Sequence, residues 1–357
     1  MNINSHQFSK RRQIAMADRQ IGVGLLAYGA IGDEHNQAIA STAGLNTVAV
    51  CDAKADRIEV ALKISPSAKS FDDADQMLES GLLELVIIST PPNTHFTWAK
   101  KALELGINVI VEKPMALTTN ECDELIALAK SKSLLLSVYQ NRRYDSDFLT
   151  MQKAINDGLI GDLFYIESFV GGYKKPCSLW HSDVLISGGA IFDWGAHFID
   201  QIVTLIGSPI AHVSGLNQKR HWHHITNADH SQVVITFEDS KQAIFINSDL
   251  AAARKPKYYA LGTKGALVGN WNSAAGDTPA DLPAIISLIK EDGEVELLEE
   301  IKAEPYAFHQ AVADQLLEGV ELEIKAEQSR NVVEIMAKAE QSAASNAIAI
   351  KPELIKL

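Results

Sequence analysis

A lysine, an aspartate and a histidine carry the chemistry this chain suggests first. Lys113 lies in Glu112-Lys113-Pro114, directly after the apolar run Asn108-Val109-Ile110-Val111. A β-branched run with such flanks reads as a buried parallel strand. Ligands bind outside the carboxyl ends of these strands, so Lys113 is expected at the mouth of a cleft, on a backbone stiffened by Pro114. A lysine there could carry a proton to or from a hydroxyl if burial or a neighbouring cation lowers its pKa. The plainer alternative is a solvated lysine at a strand end. Asp193 and His197 lie in Gly188-Gly189-Ala190-Ile191-Phe192-Asp193-Trp194-Gly195-Ala196-His197. The glycines open a predicted helix running into Leu205, and the four-residue spacing puts both side chains on one face. An imidazole beside a carboxylate suits general acid–base work on a hydroxyl. The alternative is a histidine satisfied inside the helix and an aspartate favoured there by the helix dipole. With Asp200 the pair could also ligate a divalent ion. No second cluster with ligand spacing accompanies it, so no metal is expected.

The elements that would position these residues follow a regular order. Ile21 to Leu26 is apolar and ends in Ala27-Tyr28-Gly29-Ala30-Ile31-Gly32, ahead of a helical stretch through Ile39. Strand, glycine turn and helix form the context of a dinucleotide fingerprint, in which glycines admit a pyrophosphate to the helix N-terminus. Ala27 stands where the first fingerprint glycine is usual. The next strand, Thr47 to Cys51, ends in Asp52. A carboxylate there can accept from both adenosine ribose hydroxyls and repels a 2′-phosphate, which favours NAD over NADP. Lys54 and Arg57 nearby soften that preference, and a helix-capping role for Asp52 ahead of Ala55 to Ile64 is the alternative.

A third buried run, Leu85 to Ile88, leads into Ser89-Thr90-Pro91-Pro92-Asn93-Thr94-His95, a rigid loop that could pack on a base or nicotinamide ring, or be a plain turn before a helix over Phe96 to Leu105. Thr118 with Glu121 forms a capping-box pattern, and Leu134 to Val138 is the next strand. This alternation from 21 to 138 predicts an α/β chain with a doubly wound parallel sheet. Tyr139 to Tyr144 should face the same cleft. Asp147 to Asp157 reads as a helix. From Leu163 the texture changes to short alternating runs (Phe164–Val170, Val233–Phe237, Ala243–Ile246, Lys257–Leu261, Glu294–Leu298), as in an antiparallel sheet with one face covered. Arg220-His221-Trp222-His223-His224 reads as a surface strand or loop.

Composition narrows the function classes. The 357 residues are 46% hydrophobic and 22% charged, enough for two domains with cores. A net charge of −13 without a basic run argues against nucleic acid or an anionic membrane as partner. Cys51, Cys122 and Cys177 are scattered and odd in number, which points to a reducing cytoplasm. No apolar run reaches the roughly 18 residues of a membrane span. The polar first 19 residues read as a disordered extension without a signal-peptide core, and Met16 is a candidate start.

Taken together, the fingerprint at 27–32, Asp52, the Thr90–His95 loop, Glu112-Lys113-Pro114, Asn141-Arg142-Arg143, Gly188-Gly189 with Asp193-x-Gly195-x-His197, and Gly262-Thr263-x-Gly265 resemble the Gfo/Idh/MocA oxidoreductases over residues 20 to 345. The resemblance implies an N-terminal Rossmann domain (20–138) and a C-terminal α+β domain (139–357). The second domain would carry a large, mostly antiparallel open sheet that often forms a dimer interface, and a last helix over 327–346 able to pack back on the first. It implies Lys113, Asp193 and His197 as the catalytic set, with a Lys113–Pro114 bond that is often cis. Cofactor contacts are expected at Tyr28, Gly29, Ala30, Ile31, Asp52, Ser89, Thr90, Pro91, Asn93, His95, Glu112, Lys113 and Asn141. Substrate contacts are expected at Lys113, Arg142, Tyr173, Trp180, His181, Asp193 and His197. The implied cofactor is NAD, with NADP second. The implied activity is hydride transfer between nicotinamide and a secondary hydroxyl or ketone of a sugar, sugar acid or inositol. A cytoplasmic homodimer or dimer of dimers is expected. Two other outcomes stay open: an NAD-dependent glycoside hydrolase of the same fold, and a non-catalytic cofactor-sensing regulator, which the intact trio weighs against.

Overall fold

The computed structural model describes residues 19–271 and 282–357, so all but the last residue of the polar extension lies outside the described residues. From Ile21 the chain alternates: β1 (Ile21–Leu26), α1 (Ala30–Ser41), β2 (Leu45–Cys51), α2 (Ala55–Ile64), β3 (Lys69–Phe71), α3 (Ala74–Leu78), β4 (Leu85–Ile88), α4 (His95–Glu104), β5 (Asn108–Val111), α5 (Thr119–Lys132) and β6 (Leu136–Val138). All six strands run parallel, in the spatial order β3-β2-β1-β4-β5-β6. Every residue of β1 and β4 is buried, as expected where helices cover both faces of a sheet. Strand order reverses between β1 and β4, and the crevice outside their carboxyl ends is where such a sheet receives a ligand. The capping box at Thr118 and Glu121 is formed and starts α5.

The second half continues with α6 (Ser146–Asn156), β7 (Leu163–Gly171), α7 (Val184–Ser187), α8 (Ala190–Ile206), β8 (Ile210–Gln218), β9 (His230–Phe237), β10 (Gln242–Ser248), β11 (Tyr258–Gly262), β12 (Gly265–Asn270), β13 (Ile285–Lys290), β14 (Val295–Leu297), α9 (Ala307–Glu318) and α10 (Ala326–Ala344). Its eight strands lie in the order β14-β13-β12-β11-β7-β10-β9-β8. All pairs are antiparallel except β7 with β10. β8, β12 and β13 are strands beyond those read from alternation, because glycines and half-buried polar residues blur their period. Arg220 to His224 forms a loop rather than a strand. Asp229 organises it by accepting from the backbone N–H groups of Arg220, His221 and Trp222.

Both C-terminal helices bind the halves together. Phe308, Val312 and Ala313 of α9, with Leu322 and Ile324, complete the core formed by Ile21, Val23, Leu25, Ile39 and Ile110 beneath the first sheet. α10 lies on β8 so closely that a Cβ on Gly215 would fall 2.0 Å from the Ala339 carbonyl oxygen. From there it reaches back to α5 through Arg330–Asp123 at 2.8 Å and Thr119–Glu334 at 2.7 Å.

Candidate active site

The turn from β1 into α1 is the first wall. Gly29 is the N-cap of α1 and has no side-chain cap. A Cβ there would meet nothing within 4 Å, so the helix N-terminus faces open space. Free backbone N–H groups aimed at open space fit an anionic pyrophosphate. Ala27, at the unusual fingerprint position, holds φ at +72°. A Cβ in that region costs about 1–2 kcal/mol. Ala27→Gly is therefore expected to stabilise the protein by roughly 0.5–1 kcal/mol after the entropy glycine adds to the unfolded chain. A urea titration checks this, and any destabilisation would contradict it.

Asp52 ends β2 with its carboxylate already engaged. It accepts from the Tyr28 N–H at 2.7 Å and the Lys54 N–H at 2.9 Å, with Arg57 at 3.2 Å. The helix that follows starts after Lys54 without a side-chain cap, so the capping alternative is not what forms. His95 ties the loop after β4 to the loop after β5: its ring nitrogens lie 2.8 Å from the carbonyls of Thr90 and Pro114. The Lys113–Pro114 bond is cis.

The second wall is α8. Gly188 and Gly189 hold φ at +87° and +120°, a turn that separates α7 from α8 and that side-chain-bearing residues resist. Asp193 thereby falls in the first turn of α8. Lys113 Nζ donates to Asp193 Oδ1 at 2.7 Å and to the Asp193 carbonyl at 3.2 Å. Withdrawal from water would raise the Asp193 carboxyl, but the Lys113 ammonium overrides it and holds the group below its ordinary value. One turn on, His197 is buried with no partner for Nδ1 among the described residues. Burial first, then the charges of Lys113, Arg142 and Lys257, keep its imidazole well below the usual histidine range. It is neutral at pH 7 and able to take a proton. The satisfied-histidine alternative does not form. Asp200, the third residue of the possible metal set, is bound bidentately by Arg143 at 2.6 and 2.7 Å. No group of three ligand-type side chains converges among the described residues.

These walls enclose a cavity of about 220 Å³. Of the residues singled out from sequence, Ile31, Ser89, Thr90, His95, Glu112, Lys113, Asn141, Arg142, Trp180, His181, Asp193 and His197 line it. Tyr28, Gly29, Ala30, Asp52, Pro91 and Asn93 lie outside its wall, at the ends of β1, β2 and β4. Tyr173 is not in it either. That side chain is exposed and packs on His221 and Trp222, because its backbone bridges to Leu250 past the end of β10. Tyr139, expected to face the cleft, lines the cavity, and Glu34 and Trp194 line it without having been singled out. Glu34 accepts from the Tyr139 hydroxyl at 2.9 Å. Trp194 lies under Lys113 and Arg142, at 5.9 and 5.7 Å. Its place between Asp193 and His197 was the available signal.

Two family models match the chain. The model described as "Oxidoreductase family, NAD-binding Rossmann fold" covers residues 21–140, and the GFO/IDH/MocA C-terminal domain covers 148–268. The chain belongs to the Gfo/Idh/MocA oxidoreductase family. Among Gfo/Idh/MocA relatives, an uncharacterized oxidoreductase of Schizosaccharomyces pombe is 34% identical over 57% of each chain, so the match spans little more than half of that protein. The scyllo-inositol 2-dehydrogenase (NADP(+)) IolW of Bacillus subtilis is 26% identical over 90% of this chain and 93% of its own. The solved structure of the oxidoreductase YvaA from Bacillus subtilis superposes with a TM-score of 0.82 at 26% identity, over 94% of this chain and all of that one.

Proposed function

We propose that this protein is an NAD(P)-dependent dehydrogenase that interconverts a secondary hydroxyl and a ketone on a polyol, sugar acid or inositol. The observation that carries this reading is one cavity in which the Lys113–Asp193 pair meets a neutral, buried His197. A bound nicotinamide dinucleotide would supply the hydride acceptor or donor. The N–H groups at the start of α1 would hold its pyrophosphate, and Ser89, Thr90, His95 and Asn141 would border the rest. His197 takes the hydroxyl proton in oxidation and returns it in reduction. Lys113 polarises the same oxygen, and Asp193 accepts from a neighbouring substrate hydroxyl while orienting the lysine. Arg142 and His181 close the polar side of the cavity.

Asp52 favours NAD, since a ribose 2′-phosphate would meet its carboxylate. Arg57 beside it, and the NADP(+) in the name of the Bacillus relative, support the other cofactor. The face of the eight-stranded sheet turned away from α8 and α10 leaves Leu216 and Tyr259 exposed, which supports a dimer of these sheets. Among the described residues no helix is long and apolar enough to cross a membrane, and a cytoplasmic place completes the proposal.

A panel of polyols, aldoses, sugar acids and inositols with NAD and with NADP, followed by the absorbance of the reduced cofactor, tests it. Turnover with one class supports the dehydrogenase, whereas tight cofactor binding with no release of reduced cofactor from any compound would sink it in favour of the hydrolase or the sensor. The same assay against pH has a defined expectation. His197 and Asp193 must both be unprotonated for oxidation, and both pKa values are lowered. The acid limb of kcat/KM should therefore lie below pH 6.5, the ordinary histidine value. A limb centred at or above it would remove His197 from the role.

A further inference from the structure

A buried string of hydrogen bonds joins the C-terminal part of the chain to Lys113. Nε2 of His309, on α9, lies 2.9 Å from Nδ1 of His35, on α1. Nε2 of His35 lies 3.0 Å from Glu112 Oε1. Glu112 Oε2 accepts from the Lys113 N–H at 3.2 Å, and Lys113 Nζ reaches Asp193. His35, His309 and Glu112 are 0, 1 and 8% exposed. Tyr139 packs across both rings, at 4.4 Å from His35 and 5.3 Å from His309.

The proton positions follow from what each atom can do. A carboxylate only accepts, so the proton facing Glu112 sits on His35 Nε2. Nδ1 of a neutral His35 is then an acceptor, and His309 Nε2 must donate to it. Nδ1 of His309 is buried with no partner among the described residues, which suits a bare lone pair far better than an N–H. Burial holds the His309 imidazole well below its usual range, so the ring is neutral. Both rings are thus Nε2–H tautomers pointing the same way, toward Glu112.

We propose that His309 and His35 are positioning residues for Lys113. The string fixes the Glu112 carboxylate and, through it, the Glu112–Lys113 peptide from which the lysine reaches Asp193. Without the His309 donor, the Glu112 carboxylate still keeps the proton on His35 Nε2, but Nδ1 of His35 is left buried without a partner and the ring loses one of its two anchors. The Glu112 carboxylate that the ring holds then gains room to shift. The effect on rate rests on the dehydrogenase reading above; the effect on the His35 ring does not.

The test uses the full chain with 15N-labelled histidines, alone and with NAD, in wild type, His309→Leu and His309→Gln. The amide nitrogen of glutamine stands about where Nε2 stood and can donate. At pH 8 wild type should show His35 and His309 as Nε2–H tautomers, with the His35 Nδ1 resonance carrying the signature of an accepted hydrogen bond. His309→Leu should leave His35 Nε2–H but move its Nδ1 resonance to that of an unbonded acceptor nitrogen, and lower kcat roughly ten- to a hundredfold, with KM within about twofold. His309→Gln should restore both. If the leucine variant does not fold, His309→Asn takes its place, since its shorter amide cannot reach His35 and should behave as leucine would. The proposal is overturned by a wild-type His35 that is cationic or Nδ1–H. It is also overturned by a folded leucine or asparagine variant with wild-type His35 signals, or by a glutamine variant whose His35 Nδ1 signal matches the leucine variant's. Failure to find any substrate would leave the nitrogen-15 measurement to decide.

Discussion

Lys113→Met is expected to lower kcat about a thousandfold with a substrate the panel identifies, within the range a positioned acid or base contributes. Lys113 Nζ lies 2.7 Å from Asp193 Oδ1. In the proposed mechanism, removing the ammonium takes away the group that polarises the reacting oxygen. It also removes the charge that holds Asp193 ionised, so the Asp193 carboxyl should rise as burial goes unopposed. Lys113→Arg separates two roles. A guanidinium keeps the charge but cannot release a proton at working pH. If Lys113→Arg keeps most of the rate, the lysine acts by charge and His197 alone handles the proton. If both variants are equally inactive while circular dichroism and cofactor affinity stay normal, the proton role stands. Lys113→Met with wild-type kcat would remove the lysine from the mechanism.

The second large effect is on stability. Lys257 and Asp147 form an ion pair at 2.7 Å, with side chains 2% and 0% exposed. Asp147 Oδ2 also accepts from the Ala284 N–H at 2.7 Å, and Lys257 donates to the Leu282 carbonyl at 3.1 Å. The pair therefore joins α6, the start of β11 and the entry to β13. Lys257→Met leaves Asp147 charged, buried and without its cation, which costs about 3–5 kcal/mol. Replacing both residues by apolar ones should recover part of that loss, because no charge is then stranded. Urea unfolding of the two variants checks this. A single substitution costing less than about 1 kcal/mol, or a double no better than the single, would contradict it.

Lys257 also shows what could be read in advance. The alternation of strands and helices from β1 to β6 was legible because buried parallel strands are continuous apolar runs and amphipathic helices separate them. Lys113 was legible because a charge at the end of such a run must sit at the cleft. Asp193 and His197 were legible from a four-residue spacing behind two glycines. Lys257 was read as the first residue of a strand, and its partner lies 110 positions away. His35 and His309 are 274 apart and carry no local pattern. Glu34 faces the cavity because α1 is a helix, yet nothing in its neighbours distinguishes it from a solvated helix glutamate. Periodicity reports which face a residue occupies, and these pairs depend on which two faces meet.

The completion of the first core by Phe308, Val312, Ala313, Leu322 and Ile324 bears on recombination. A chimera cut after residue 140, joining this N-terminal half to the C-terminal half of another family member, would keep every fingerprint residue. It would nonetheless receive foreign side chains beneath its own sheet and a foreign partner for His35. Exchange of C-terminal halves should therefore carry an insert ending before Ala307, so that the segment through Ile324 stays with the half it completes. The natural modules of this protein are interleaved along the chain, and a library built on a single crossover would select against its own cofactor site.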